Sequence, residues 1–106
     1  MSDAQDGLQP DARAAMGREL MTLRATIARV DEEIVRLIAE RVQLAQQAGS
    51  LKRAAGLPVR DPVQEAVVLD RAGVFARSRG LDADAVRQVF DELLALARAA
   101  QRAGGR

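Results

Sequence analysis

The sequence predicts an all-α fold with three helices per chain, one long N-terminal helix and two shorter ones. Two observations lead to this prediction. Between residues 20 and 51 apolar residues recur at separations that alternate mainly between three and four, the spacing that keeps one face of an α-helix turned toward a partner. No Gly or Pro lies between Arg18 and Ala48, whereas both residue types stand where we expect helices to end. A chain of 106 residues makes one domain.

The first helix carries an apolar stripe that a single chain of this size cannot cover. From Leu20 to Lys52 it is roughly 50 Å long at about 1.5 Å per residue, and 106 residues supply too little mass to bury it. We therefore expect a partner chain. Arg41 falls in the core-facing row, where a purely structural helix would stay apolar. The stripe comprises Leu20, Leu23, Ile27, Val30, Ile34, Leu37, Ile38, Leu44, Ala48 and Leu51.

Residues 1–17 hold Ser, Asp, Gly and Pro without a sustained apolar run. We interpret them as an N-terminal tail that is either disordered or starts the helix early at Pro10, and assign residues 18–103 to the helical domain. No basic segment precedes an apolar stretch as in a secretory signal, and no run approaches the roughly 20 apolar residues of a membrane span. We expect a cytoplasmic protein without membrane contact.

The later helices have recognisable ends. The Gly-Leu-Pro sequence at 56–58 predicts the end of the first helix, with Gly in the left-handed conformation. Asp61 is predicted to cap the second helix, with a Pro at its first position and Gln64 as the amide of a capping box. Gly80 ends that helix, Asp82 opens the third, and residues 104–106 are predicted to fray.

The composition excludes several classes of binding partner and catalytic group. Sixteen basic and fifteen acidic residues give a formal charge of +1, so no overall field favours nucleic acid or an anionic membrane. Cys and His are absent, which excludes disulfides, thiolate and imidazole nucleophiles, and the usual zinc ligands. We expect neither a metal nor a cofactor, and chemistry that uses Arg, Lys, carboxylates and amides.

Each candidate residue also has a structural interpretation when taken singly. Arg41 could reach solvent with its guanidinium group or pair with a Glu. Lys52, in the last turn, could interact with the negative end of the helix dipole. Asp61 is most simply an N-cap and Glu65 a first-turn acid. Gln101 continues an apolar face, where an unpaired amide would cost about 1 to 3 kcal/mol.

Together these residues form a more specific pattern. The motifs are L-R at 23–24, I-x-x-V-D-x-x-I at 27–34, A-E-R at 39–41, G-x-x-K at 49–52 and P-V-x-D-x-x-x-E at 58–65. As a set they resemble the all-helical chorismate mutases, over about residues 20–101. The resemblance implies an intertwined homodimeric helical bundle with two active sites, each bounded by helices from both chains. It also implies conversion of chorismate to prephenate in phenylalanine and tyrosine biosynthesis.

The resemblance assigns the two substrate carboxylates to Arg24 and Arg41, with Arg24 contributed by the other subunit. The geometry of a straight α-helix is compatible with this assignment. On one straight helix the two residues would be roughly 25 Å apart, too far for one small dianion to bridge within a chain. Antiparallel pairing of two long helices would bring Arg24 of one chain toward Arg41 of the other.

The resemblance assigns the remaining contacts to four residues. Lys52 and Gln101 would hydrogen-bond the ether oxygen of the substrate, and Asp61 with Glu65 would hold the region of the ring hydroxyl. A Claisen rearrangement passes no proton to the enzyme and forms no covalent intermediate, so a chain without His or Cys lacks nothing it needs. It needs a flexible dianion held in a compact chair and donors aimed at the ether oxygen as negative charge grows there.

The sequence departs from better-known bacterial members at two positions. Gln64, at a substrate-binding position, stands where an Arg commonly precedes the Glu of the second helix, so a cation is missing. Ala97 stands where a hydroxyl residue often lines the site, so a possible carboxylate contact is missing. Both departures bear on turnover and exact substrate rather than on fold.

Alternative functions remain open at this point. An isochorismate pyruvate-lyase or an aminodeoxychorismate mutase would use the same scaffold, although the Asp61 and Glu65 pair argues against the lyase. From another class, the chain would be a non-catalytic helical interaction module, or a mutase that depends on a partner enzyme of the shikimate pathway.

Overall fold

A computed structural model describes residues 9–104. Within this range the chain forms three α-helices and no strand: α1, Pro10–Ala54; α2, Pro62–Ser78; and α3, Ala83–Gly104. The prediction of an all-α fold with one long and two shorter helices is confirmed. None of the helices in this range combines the length and the apolar character needed to cross a membrane.

The long helix begins at Pro10, which is the second of the two alternatives for the N-terminal residues. Pro suits the first helical position because an N–H there would have no intrahelical acceptor. Asp11 in the first turn interacts favourably with the positive end of the helix dipole. Residues 1–8 of the predicted tail lie outside the described residues. At the other end Gly56 has a φ of +71°, and the Leu57 N–H donates to the Lys52 carbonyl oxygen at 2.8 Å. This is the predicted left-handed stop.

The chain divides into two units, 1–37 and 38–106. In the first unit the structure describes only the N-terminal part of α1. Its large apolar side chains are 46% to 59% exposed at every predicted stripe position before Ile38: Leu20, Leu23, Ile27, Val30, Ile34 and Leu37. The polar contacts within this part of α1 include the pairing of Arg36 with Glu33 one turn away. The Arg36 hydrogen bond lowers the pKa of Glu33 below its ordinary value.

The second unit contains the rest of α1 together with α2 and α3. Helix α2 packs against α3, and the buried apolar side chains are small apart from one Val and one Leu. They are Val68, Ala72, Ala76, Leu94 and Ala97. Gly73 is also buried, and a Cβ there would lie 2.5 Å from Nη2 of Arg87 on α3. Small residues therefore let α2 and α3 approach closely.

The ends of α2 and α3 follow the predicted turn chemistry. Oδ1 of Asp61 accepts from the Gln64 N–H at 3.1 Å, so Asp61 is the N-cap. The Gln64 side chain makes no reciprocal bond among the described residues, so only half of the predicted capping box forms. Gly80 has a φ of +71°, and Oδ1 of Asp82 accepts from the Ala85 N–H at 3.0 Å. Helix α3 extends to Gly104, and residues 105–106 lie outside the described residues.

Candidate active site

A cavity of about 340 Å³ lies within the second unit, between the end of α1, the loop before α2, and the facing sides of α2 and α3. Six of the seven predicted site residues line it. They are Arg41, Lys52, Asp61, Gln64, Glu65 and Gln101. The apolar part of the lining comes from Leu44, Ala45, Ala48, Val59, Val68, Leu94 and Ala97. The remaining lining residues, Arg71 and Arg98, were not predicted.

Lys52 is half-buried near the end of α1. Its Nζ donates to the Val59 carbonyl oxygen at 3.1 Å, which ties the end of α1 to the loop that precedes α2. An ammonium has three N–H donors, so this bond orients the group and leaves two donors for a ligand.

Gln101 is half-buried on α3, and its amide has a defined partner. Nε2 donates to the Ala45 carbonyl oxygen on α1 at 2.8 Å. Gly49 is the point of close approach, because a Cβ there would lie 3.2 Å from Cγ of Gln101. Arg53 adds a weak contact, with Nη1 at 3.4 Å from the Gln101 carbonyl oxygen. The second N–H and the oxygen of the amide remain for a ligand.

Glu65 holds the ion pair that sequence reasoning missed. Its Oε1 lies 3.1 Å from Nη1 of Arg98 on α3 and 3.8 Å from Nη2 of Arg60. The side chains of Glu65 and Arg98 are 21% and 28% exposed, so water screens their attraction only partly. Arg98 stands four residues after the buried Leu94, and this helical spacing is the signal that could have placed it on the inner face.

The two departures at positions 64 and 97 have different environments. Gln64 is exposed at the rim of the cavity. Its backbone N–H donates to Asp61, and its side chain makes no hydrogen bond within residues 9–104. Ala97 is 7% exposed and lies in the α2–α3 core. A hydroxyl at 97 would therefore be largely enclosed, whereas an Arg at 64 would have room at the rim.

The charges around the cavity do not cancel. Four cationic side chains line it, Arg41, Lys52, Arg71 and Arg98, against the two carboxylates of Asp61 and Glu65. The surplus is two positive charges at neutral pH. A cleft lined by one excess sign attracts ligands of the opposite sign, so the cavity suits a small dianion.

The two predicted carboxylate-binding arginines belong to different units. Arg41 is half-buried and lines the cavity. Arg24 lies in the first unit, where it is exposed, and it is not part of the lining. The structure of one chain therefore brings together every predicted site residue except Arg24.

Comparison with known proteins gives a consistent result. Residues 23–102 match the family model described as chorismate mutase type II. A chorismate mutase from Methanocaldococcus jannaschii is 30% identical over 87 residues, which are 82% of this chain and 88% of that protein.

Two relatives are longer proteins. The bifunctional chorismate mutase/prephenate dehydratase of Escherichia coli K12 is 33% identical over 75 residues, 71% of this chain but 19% of that protein. A 3-dehydroquinate dehydratase from Pyrobaculum aerophilum is 34% identical over 85 residues, 80% of this chain and 25% of that protein. The chain thus spans most of the first relative and a quarter or less of these two.

Proposed function

The chain belongs to the chorismate mutase type II family, and we propose that it catalyses the rearrangement of chorismate to prephenate in the biosynthesis of phenylalanine and tyrosine. The observation that carries the proposal is the cavity with a surplus of two positive charges, lined by residues from three helices. Chorismate is a dianion of matching charge. The family and the charge of the site therefore lead to the same substrate.

The reaction needs restraint and electrostatic stabilisation rather than proton transfer. A pericyclic step breaks the C–O bond of the ether and forms a C–C bond within one molecule, so no leaving group departs. The catalyst holds the dianion in the compact chair and stabilises the negative charge that grows on the ether oxygen. Arg suits the clamping of carboxylates through paired N–H groups, and Lys offers a compact charge.

In this proposal Lys52 and Gln101 donate hydrogen bonds to the ether oxygen of the substrate. The bond from Lys52 to the Val59 carbonyl and the bond from Gln101 to Ala45 support this role, because each fixes a donor group before substrate binds. Donors held in place need little reorganisation as the charge develops. An amide does not titrate in the physiological range, so Gln101 does not restrict activity to acid pH.

Arg41 binds one carboxylate of the substrate, and Asp61 with Glu65 contacts the region of the ring hydroxyl. Support for the second assignment comes from the pairing of Glu65 with Arg98, which orients the carboxylate and leaves its other oxygen as an acceptor. Gln64 lies at the rim, where it contacts substrate without adding charge.

We propose that the active form is an intertwined homodimer in which the partner subunit's Arg24 completes each site. The exposed stripe from Leu20 to Leu37 supports it, since such a row of large apolar side chains is stabilised by burial against a second helix. A second copy of the chain offers the same stripe, and closed two-fold pairing is the commonest arrangement of identical chains. Two equivalent sites follow from that symmetry.

The proposal extends to the catalytic domain, the cellular compartment and a partner enzyme. Residues 18–103 form the catalytic domain, and the protein works in the cytoplasm. The E. coli relative is bifunctional, with a mutase and a prephenate dehydratase in one chain. That combination supports an interaction of this chain with another enzyme of the same pathway, which a turnover measurement with and without such an enzyme would test.

The direct test follows the loss of chorismate and identifies the product. We expect prephenate to form without any added metal or cofactor. Isochorismate and aminodeoxychorismate, offered at the same concentration, should react much more slowly. Release of pyruvate from isochorismate at a higher rate than prephenate formation would contradict the proposal and identify a lyase instead.

A further inference from the structure

A second cavity, of about 360 Å³, adjoins the candidate active site and is lined almost entirely by arginines. Four of its six lining residues are Arg, and Val59 is its one apolar member. The two cavities share Val59, Arg98 and Gln101. The lining residues are Arg53, Val59, Arg60, Arg98, Gln101 and Arg102.

These four guanidinium groups have few anionic partners. Glu65 accepts from Arg98 at 3.1 Å and lies 3.8 Å from Arg60, so one carboxylate serves two of the cations. Arg53 donates to neutral oxygens, the Gln101 carbonyl and the Ser50 hydroxyl, each at 3.4 Å. Within residues 9–104, Arg102 pairs with no carboxylate. Four positive charges against one negative charge leave a surplus of three around one small cavity.

We propose that this arginine cavity binds the phosphate group of a small ligand. Phosphate carries about −1.5 to −2 charges at pH 7 and three strong acceptor oxygens, and planar guanidinium groups bind such oxygens in pairs. A single carboxylate would balance only one of the three surplus charges, whereas a phosphate group balances up to two of them. The charge of the cavity therefore favours a phosphate over an amino acid or a fatty acid.

The shared residue Arg98 links the two cavities. A phosphate in the arginine cavity competes with Glu65 for Arg98 and Arg60, and it lowers the positive surplus that attracts a dianion to the first cavity. Bound phosphate therefore raises the KM for chorismate. This step rests on the proposed function, whereas phosphate binding itself does not.

Phosphorus NMR or calorimetric titration of the whole chain tests the site without substrate. Arg102→Gln is the test variant, because Arg102 lines only the arginine cavity and is exposed. Arg77→Gln is the matched control, since Arg77 is an exposed arginine of the last turn of α2 that lines neither cavity. Inorganic phosphate, glycerol phosphate and malonate are titrated at one ionic strength.

We expect phosphate to bind the parent and Arg77→Gln alike, and Arg102→Gln about tenfold more weakly, the scale of one lost charge-assisted bond. Tighter binding of glycerol phosphate than of inorganic phosphate would identify a phosphomonoester as the ligand, and the reverse order would identify free phosphate. Equal affinity of the parent and Arg102→Gln, tighter binding of malonate than of either phosphate, or no binding by the parent would overturn the proposal.

Turnover measurements separate the arginine cavity from direct competition in the first cavity. At fixed ionic strength, phosphate should raise the KM of the parent and of Arg77→Gln, with a much smaller effect on Arg102→Gln. A rise of equal size in all three would mean that phosphate enters the substrate cavity instead, and would refute the link. If phosphate binds as expected and no protein converts chorismate, the proposed function fails while the phosphate site stands.

Discussion

The two units of the chain differ in how far they bury their apolar side chains. In residues 38–104 the helices α2 and α3 pack small residues against each other, bury Val68 and Leu94, and leave a charged cavity beside that core. In residues 9–37 a single helix carries large apolar side chains that are about half exposed. The first of these regions has its own core, and the second has an apolar face without one.

The contrast indicates where each part of the function resides. Polar side chains of the cavity in 38–104 are held by bonds within one chain, such as Lys52 to Val59 and Gln101 to Ala45. The apolar face of 9–37 has no such contacts, so its role in the proposal is to pair chains and to deliver Arg24. Chemistry and assembly are therefore separable by mutation, and the following variants test that separation.

The largest effect is expected from a carboxylate placed in the apolar stripe. Ile27→Asp would bury an unpaired charge in each of two symmetric copies, at a cost of several kcal/mol each. Dimerisation should weaken by about 1,000-fold or more, and activity should fall with it. Light scattering after size-exclusion chromatography measures the mass.

Ala25→Asp is the control for this variant. It adds the same charge on the opposite side of the helix, 200° away at 100° per residue, and should leave mass and activity unchanged. If the Ile27→Asp variant is still dimeric at micromolar concentration, the apolar stripe does not form the dimer interface.

A smaller but still large effect is expected within the charged cavity. Lys52→Ala removes one fixed donor, which should lower kcat by about 100-fold or more. The variant also loses the bond to Val59, worth about 1 kcal/mol of folding free energy, so it should remain folded and dimeric. Arg77→Ala is the matched control. Parental turnover by a folded Lys52→Ala protein would refute the role at the ether oxygen.

Local and long-range features of the chain also differ in how far the sequence predicts them. Helix ends were predictable because Gly56, Gly80 and Asp82 act through local geometry that the neighbouring sequence specifies. The start at Pro10 was left open, because residues 10–17 contain good helix formers but no apolar period, and local propensity alone does not decide order.

The predicted site residues other than Arg24 line one cavity, and the resemblance to the family predicted that grouping. The partners of those residues were not foreseen. The pairing of Glu65 with Arg98 joins positions 33 residues apart, and it depends on how α2 faces α3. Arg71 was missed for the same reason, since an exposed helical arginine has no sequence signal that separates it from a solvated one.

Mixing two inactive variants tests how the two units combine in a dimer. Arg24→Ala and Arg41→Ala homodimers should each be nearly inactive. Unfolding and refolding them together gives about half heterodimers by random pairing. If each site takes the two arginines from different chains, every heterodimer has one site with both changes and one site with neither.

Activity should then return to about a quarter of the parental value, because half of the dimers each regain one of two sites. Sites built within one chain would recover nothing, since each would keep its own change. Mass spectrometry confirms that heterodimers formed. Their presence without recovery would disprove the shared site and the role of Arg24.

The smallest effect is expected at the rim of the charged cavity, where the resemblance to the family leads us to expect a cation in place of Gln64. Gln64→Arg would raise the surplus from two positive charges to three and would add a second exposed cation close to Glu65. If capture of the dianion limits the reaction, kcat/KM should rise a few-fold at low ionic strength and less at high salt, where screening shortens the reach of the charge. Gln88→Arg adds the same charge on an exposed position of α3 outside this cavity and should have little effect. No gain at any salt concentration would mean that Arg71 and Arg98 already supply the charge that Gln64 lacks.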